Sequence, residues 1–213
     1  MQHVDPDKLQ ALNQSFADAV AAHAYASDEN SKQISLFRMN FIKKFTDDVW
    51  YLNDHSGQND FHVRYATFIL RNMVEQVIEF LYISKNVKLI DEYLGSEISK
   101  KQSAIDSNTT TVEALKIYGE KRFATRRERI AQMAEDINER YATKKDCLTL
   151  YDVFTVLSDR THNSYFSSLL DDFAKEFSDD HYIGLTVEQV RYLNVLIIVV
   201  LMTFSDFKQG DLL

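Results

Sequence analysis

The chain has one proline, five glycines and one cysteine in 213 residues. So few backbone breakers disfavour a fold of many short strands joined by tight turns, and they leave long helices as the natural choice. A lone cysteine, Cys147, excludes a disulfide within the chain and any cysteine-based metal motif. That usage fits a reducing compartment. Positive charge is also short: the net charge is −8, which argues against a dominant nucleic-acid surface while leaving room for a local basic patch. The opening stretch "MQHVDPDKLQ" has neither the basic start nor the apolar run of a signal peptide. The most apolar window, Tyr192 to Ser205, is 14 residues long, short of the roughly 20 that cross a bilayer. It reads as a buried core helix, and the expectation is a cytoplasmic protein with no membrane partner.

What is present is helical periodicity. Asp5 is placed to cap a first helix with Pro6 at its first position. Leu9, Leu12, Phe16 and Val20 then recur at helical spacing. A second helix is expected from about Ser31 to Leu52, with Ile34, Phe37, Phe41, Phe45, Val49 and Trp50 on its apolar side. The stretch from Phe61 to Ser84 is apolar over most of its circumference, which marks a central helix. Thr110 with Glu113, and Thr186 with Gln189, have capping-box spacing. They open a charged helix over 112–142 and the apolar C-terminal helix. Between these, Leu150, Phe154, Leu157 and Thr161 share one face, and Ser164 to Phe177 forms a further short helix. With no repeats and no composition shift, the expected fold is all-α. It is read as one helical bundle of about seven or eight helices spanning residues 1–213.

The chemistry-bearing residues concentrate on two of these helices. At 100° per residue, Arg64, Thr67, Arg71, Glu75 and Glu79 fall within an arc of roughly 120°. Phe68, Ile78 and Tyr82 share the arc, so the stripe reads as partly buried and its charges need partners. On the later helix Tyr151, Ser158 and His162 lie on one side. Three roles stay open for His162. As a helix-end residue its charged form complements the helix dipole. It also fits a polar binding cluster with Arg71, Glu75, Tyr151 and Ser158. A Ser–His pair near a carboxylate further suggests nucleophilic catalysis, although no Gly-x-Ser-x-Gly turn or oxyanion loop accompanies it.

The pair "RNMVE" and "LSDRTH" resembles a group of bacterial all-helical proteins. These combine Arg-x-x-x-Glu on an early apolar helix with Ser-x-x-x-His at the end of a later one. The resemblance rests on Arg71, Glu75, Ser158 and His162 and spans roughly Phe61 to Phe166. It implies a helical fold and no particular activity. A neighbouring class is the HEPN group of RNA-cleaving and nucleotide-associated helical domains, whose signature is an arginine followed after four to six residues by a histidine. Here Arg160 precedes His162 by two, and none of the six histidines has an arginine four to seven residues upstream. The departure removes the catalytic signature and leaves open only a degenerate relationship.

Two weaker signals complete the reading. Lys121 to Arg129 holds five basic residues, among them Arg126, Arg127 and Arg129, which could contact phosphates. The enclosing 112–142 segment nets only +1, however, as expected of a solvated helix laced with ion pairs. His55 and His62, seven apart, do not make a metal-ligand spacing, and no cofactor is expected. The expectation is therefore a non-enzymatic interaction or regulatory domain with a protein partner or a second copy of itself. The alternative is a nucleic-acid-associated, RNA-cleaving enzyme.

Overall fold

A computed structural model describes residues 4–55, 63–87, 89–90, 130–131, 133–135, 149–161 and 185–209. Helix accounts for 92% of them and none is in a strand, so the fold class is all-α, as the periodicity predicts. Five helices have defined bounds: α1 (Pro6–Tyr25), α2 (Glu29–His55), α3 (Val63–Lys85), α4 (Leu150–Thr161) and α5 (Val187–Gln209). Six helices are counted among the described residues, against the seven or eight expected. Most of the charged 112–142 segment and all of the Ser164 to Phe177 segment lie outside the described residues.

The helix starts follow from capping chemistry. Asp5 Oδ1 accepts from the Asp7 N–H at 3.0 Å, and Pro6 occupies the first position of α1. At the start of α5 the Thr186 N–H donates to Gln189 Oε1 and the Gln189 N–H donates back to Thr186 Oγ1. α4 opens with the same reciprocal pair, Thr149 with Asp152. Each box satisfies two backbone donors that a helix start leaves orphaned.

α1 packs on α2, α2 on α3, α3 on α5, and α5 back on α1, which closes a four-helix ring; α4 packs on α3 from outside it. α3 therefore needs two buried faces. Ala66, Leu70, Met73, Val77 and Phe80 form one, and Thr67, Val74, Glu75 and Ile78 form another roughly 120° round the helix. This explains its all-round apolar character. Where α2, α3 and α5 converge the core is aromatic. Phe41 stacks on Phe80 with centroids 3.7 Å apart, and Phe80 also meets Phe37 and Phe204. Beside this cluster the Arg38 guanidinium sits 3.6 Å over the Phe207 ring, and burial pushes it down to about 10. It stays charged at neutral pH, and the ring face offsets part of its lost hydration.

Two assignments of the apolar stripes shift. In α1 the buried positions are Leu9, Leu12, Ser15 and Ala19, while Val20 is 41% exposed. Leu9 and Leu12 are buried and Phe16 packs against the core as expected, and in the later turns the small residues Ser15 and Ala19 take the inner face in place of Val20. The C-terminal helix runs well beyond its apolar window, and its most apolar 18 residues are only 39% buried. By length and composition alone it could cross a membrane, but Leu193, Leu196, Ile197, Val200 and Phe204 are in the core.

Candidate functional site

The contact between α3 and α4 is polar at its centre. Arg71 Nε donates to Ser158 Oγ at 3.1 Å, joining residues 87 positions apart. Arg71 Nη1 lies 3.6 Å from Glu75 Oε2, one turn along α3. Its Cζ stands 5.1 Å from the centroid of the Phe154 ring. The arginine is thus held on three sides by a hydroxyl, a carboxylate and an aromatic face. The Glu75 side chain is only 4% exposed and that of Arg71 31%. This is a half-buried pair rather than a solvated surface bridge, and burial makes each charge depend on its partner. The fork of the guanidinium lets one residue serve Ser158 and Glu75 together.

Of the residues singled out from sequence, Arg71, Glu75 and Ser158 are therefore brought together. Tyr151 is near but does not join them. Its ring stacks on Phe154 with centroids 6.0 Å apart, and its hydroxyl makes no hydrogen bond with Arg71, Glu75 or Ser158. The offset of seven residues places Tyr151 two turns before Ser158, farther along α4 than its hydroxyl reaches. His162, Arg126, Arg127 and Arg129 lie outside the described residues.

The polar seam continues toward α5 through residues the sequence reading did not connect. Gln189 Nε2 donates to Thr67 Oγ1 at 2.9 Å, with both residues buried. A capping box built with glutamate would have no donor left after accepting from Thr186. Glutamine has one, and that spare N–H was the available signal. Beside it Arg160 of α4 pairs with Glu188 of α5 at 2.7 Å, and the Tyr192 hydroxyl donates to the same carboxylate at 2.6 Å. Burial, then the hydrogen bond and charge of Glu188, push the Tyr192 phenol up to about 12. It remains a neutral donor throughout the physiological range. The Arg160–Glu188 pair ties α4 to α5 as Arg71 and Ser158 tie α4 to α3, and the Gln189–Thr67 bond ties α5 to α3.

Elsewhere, a groove of about 190 Å³ runs between α2 and α3, with Phe37, Phe41 and Phe80 in its wall and Lys44 and Glu79 among its lining. Gln76 Nε2 is buried beside it and has no hydrogen-bond partner among the described residues.

A serine nucleophile needs a base to take its proton. Among the described residues the hydrogen-bond partner of Ser158 Oγ is Arg71, which is always protonated and can only donate. The geometry fits a joint that sets the packing of α4 against α3. The chain matches no known protein family, no curated protein and no solved structure.

Proposed function

We propose that the chain is a non-enzymatic helical interaction or regulatory domain, a cytoplasmic bundle of seven or eight helices whose polar cluster fixes the seat of α4 on α3. The observation that carries this reading is the hydrogen bond from Arg71 Nε to Ser158 Oγ. It gives the one serine of the cluster a part in holding α4 on α3. Arg71, Glu75 and Ser158 then act as a specificity device, because a misplaced α4 would leave the half-buried Arg71 guanidinium, paired with Glu75 on its own helix, without the Ser158 hydroxyl it donates to. The partner is a protein, or a second copy of the chain. Support for a non-nucleic-acid role comes from the net charge of −8 and from the near balance of charge around Arg126, Arg127 and Arg129.

The test is a titration of the full chain into labelled single-stranded RNA at two salt concentrations, with the RNA recovered and its length measured. We expect weak binding at physiological salt and intact RNA. Tight binding that falls steeply with salt, and that disappears when Arg126, Arg127 and Arg129 are changed to alanine, would overturn the proposal and favour the RNA-cleaving alternative.

A further inference from the structure

The groove between α2 and α3 has an aromatic wall. The Phe41 ring lies on that of Phe80, 2° from parallel, and Phe37 stacks on Phe80 with centroids 5.5 Å apart. Its rim is polar and offers hydrogen-bond donors. Gln76 lines the groove, and its Nε2 is buried with no hydrogen-bond partner among the described residues. A buried donor left unmade costs free energy that an acceptor recovers. On the facing helix the exposed side chains of Asn40 and Lys44 make no hydrogen bond and no ion pair among the described residues. Two acidic groups bear on Lys44. Asp48, one turn beyond it, attracts it only through space, and burial holds the Asp48 carboxyl above its usual range. Glu79 stands in the lining and has an interaction of its own.

We infer that this groove binds a small aromatic carboxylate, its ring against the phenylalanine wall and its oxygens on Gln76 Nε2 and Lys44 Nζ. Size sets the first limit. The groove holds about 190 Å³, and an apolar cavity of about 150 Å³ accommodates one benzene molecule. One ring with a short acidic arm therefore fits, and a fused ring system does not. Shape sets the second limit, because flat aromatic faces favour a ring in offset or edge contact over a branched chain. Charge sets the third. A carboxylate can accept from the ammonium and from the orphaned amide together, and bonds to an ionised acceptor are the stronger kind. A cationic head would meet Lys44 and leave the Gln76 N–H without an acceptor. The inference goes beyond the proposed function and stands without it, because none of Arg71, Glu75 and Ser158 lines the groove.

The experiment follows the side-chain amide resonances of the isotope-labelled full chain as phenylacetate is added. The Gln76 pair is identified by its loss in Gln76→Leu. It is expected to shift along a single saturable curve, with a Kd in the millimolar range or below. Lys44→Met, at an exposed position and with an unchanged far-ultraviolet spectrum, should weaken binding by about fivefold, as loss of an exposed ion pair does. Gln76→Leu should weaken it by about the same factor, read from the resonances of the acid itself. Lys43→Met, whose partner is Asp47, should leave it unchanged. Cyclohexylacetate, which lacks the flat ring, and benzylamine, which reverses the charge, should both bind more weakly than phenylacetate. No saturable shift of the Gln76 amide would overturn the inference. So would binding that Lys44→Met and Gln76→Leu both leave unchanged, since the acid would then sit elsewhere. Cyclohexylacetate or benzylamine binding as tightly as phenylacetate would overturn the assigned ligand class.

Discussion

Ending the chain after Val190 is expected to abolish cooperative folding. The cut removes Tyr192, Leu193, Leu196, Ile197, Val200 and Phe204, every one of them buried. At about 1.5–3 kcal/mol for each buried side chain of this size, the loss is on the order of 10 kcal/mol, as large as the entire stability of a typical domain. The ring of helices also loses two polar ties to α1. These are Lys8 Nζ to Asn194 Oδ1 at 2.8 Å and the pair of Lys208 with Asp18. Thermal unfolding followed by circular dichroism, with size-exclusion chromatography of the soluble fraction, checks this. A truncated chain that stays soluble with an unchanged cooperative melt would show that α5 is not part of the core.

Phe80→Ala is expected to carry the largest cost of any single substitution discussed for this chain, about 3–5 kcal/mol. The residue is 1% exposed and sits where α2, α3 and α5 converge. It contacts Phe37, Phe41, Phe204 and, edge to face, Phe207. Its removal costs the transfer of a whole ring, opens a cavity, and undoes aromatic pairings worth about 0.5–1.5 kcal/mol each beyond burial. The adjoining groove between α2 and α3 offers the neighbours only limited scope to collapse inward. Denaturant titration should show a midpoint shift at constant slope, which marks lost stability rather than an altered unfolded state. Phe68→Ala, on the same helix but 41% exposed, should move the midpoint far less. Equal shifts for the two would contradict the central placement of Phe80.

Much of the helical framework was legible in the sequence because it depends on local chemistry. Asp5 and Pro6 start α1, and Thr186 with Gln189 start α5, through bonds that form within four residues. The double burial of α3 was written in its apolar circumference, because only a helix with neighbours on two sides needs that pattern. Leu150, Phe154, Leu157 and Thr161 are all buried, as their spacing predicts. The start of α4 was less plain, since the Thr149–Asp152 box uses aspartate where glutamate is the familiar partner. On α1 the spacing found Leu9, Leu12 and Phe16 but overran at Val20, where the small residues Ser15 and Ala19 complete the inner face instead.

The polar cluster was legible in part, and for a different reason. A half-apolar stripe with Arg71 and Glu75 on it implies that the charges answer something off the helix. Ser158, on the polar edge of a core helix, was a reasonable candidate, and it receives the Arg71 hydrogen bond. What periodicity cannot supply is the rotation and slide of one helix on another. That rotation decides that Tyr151 stacks on Phe154 instead of reaching Arg71. It also decides that Arg160 meets Glu188, and that Gln189 meets Thr67 across 122 residues of sequence.

The central claim is that Arg71 and Ser158 form a structural joint between α3 and α4, and a double-mutant cycle on that pair tests it most directly. Arg71→Met keeps the apolar stem of the side chain against Phe154 and removes the guanidinium. Ser158→Ala removes the acceptor alone. Each single variant carries other costs, among them the exposure of Glu75 to a loss of its counter-charge, but those costs cancel in the cycle. With unfolding free energies measured for the four proteins under one buffer, we expect the double variant to be less destabilised than the singles added together, by about 1 kcal/mol or more. Additivity within about 0.3–0.5 kcal/mol, the behaviour of independent sites, would contradict the joint.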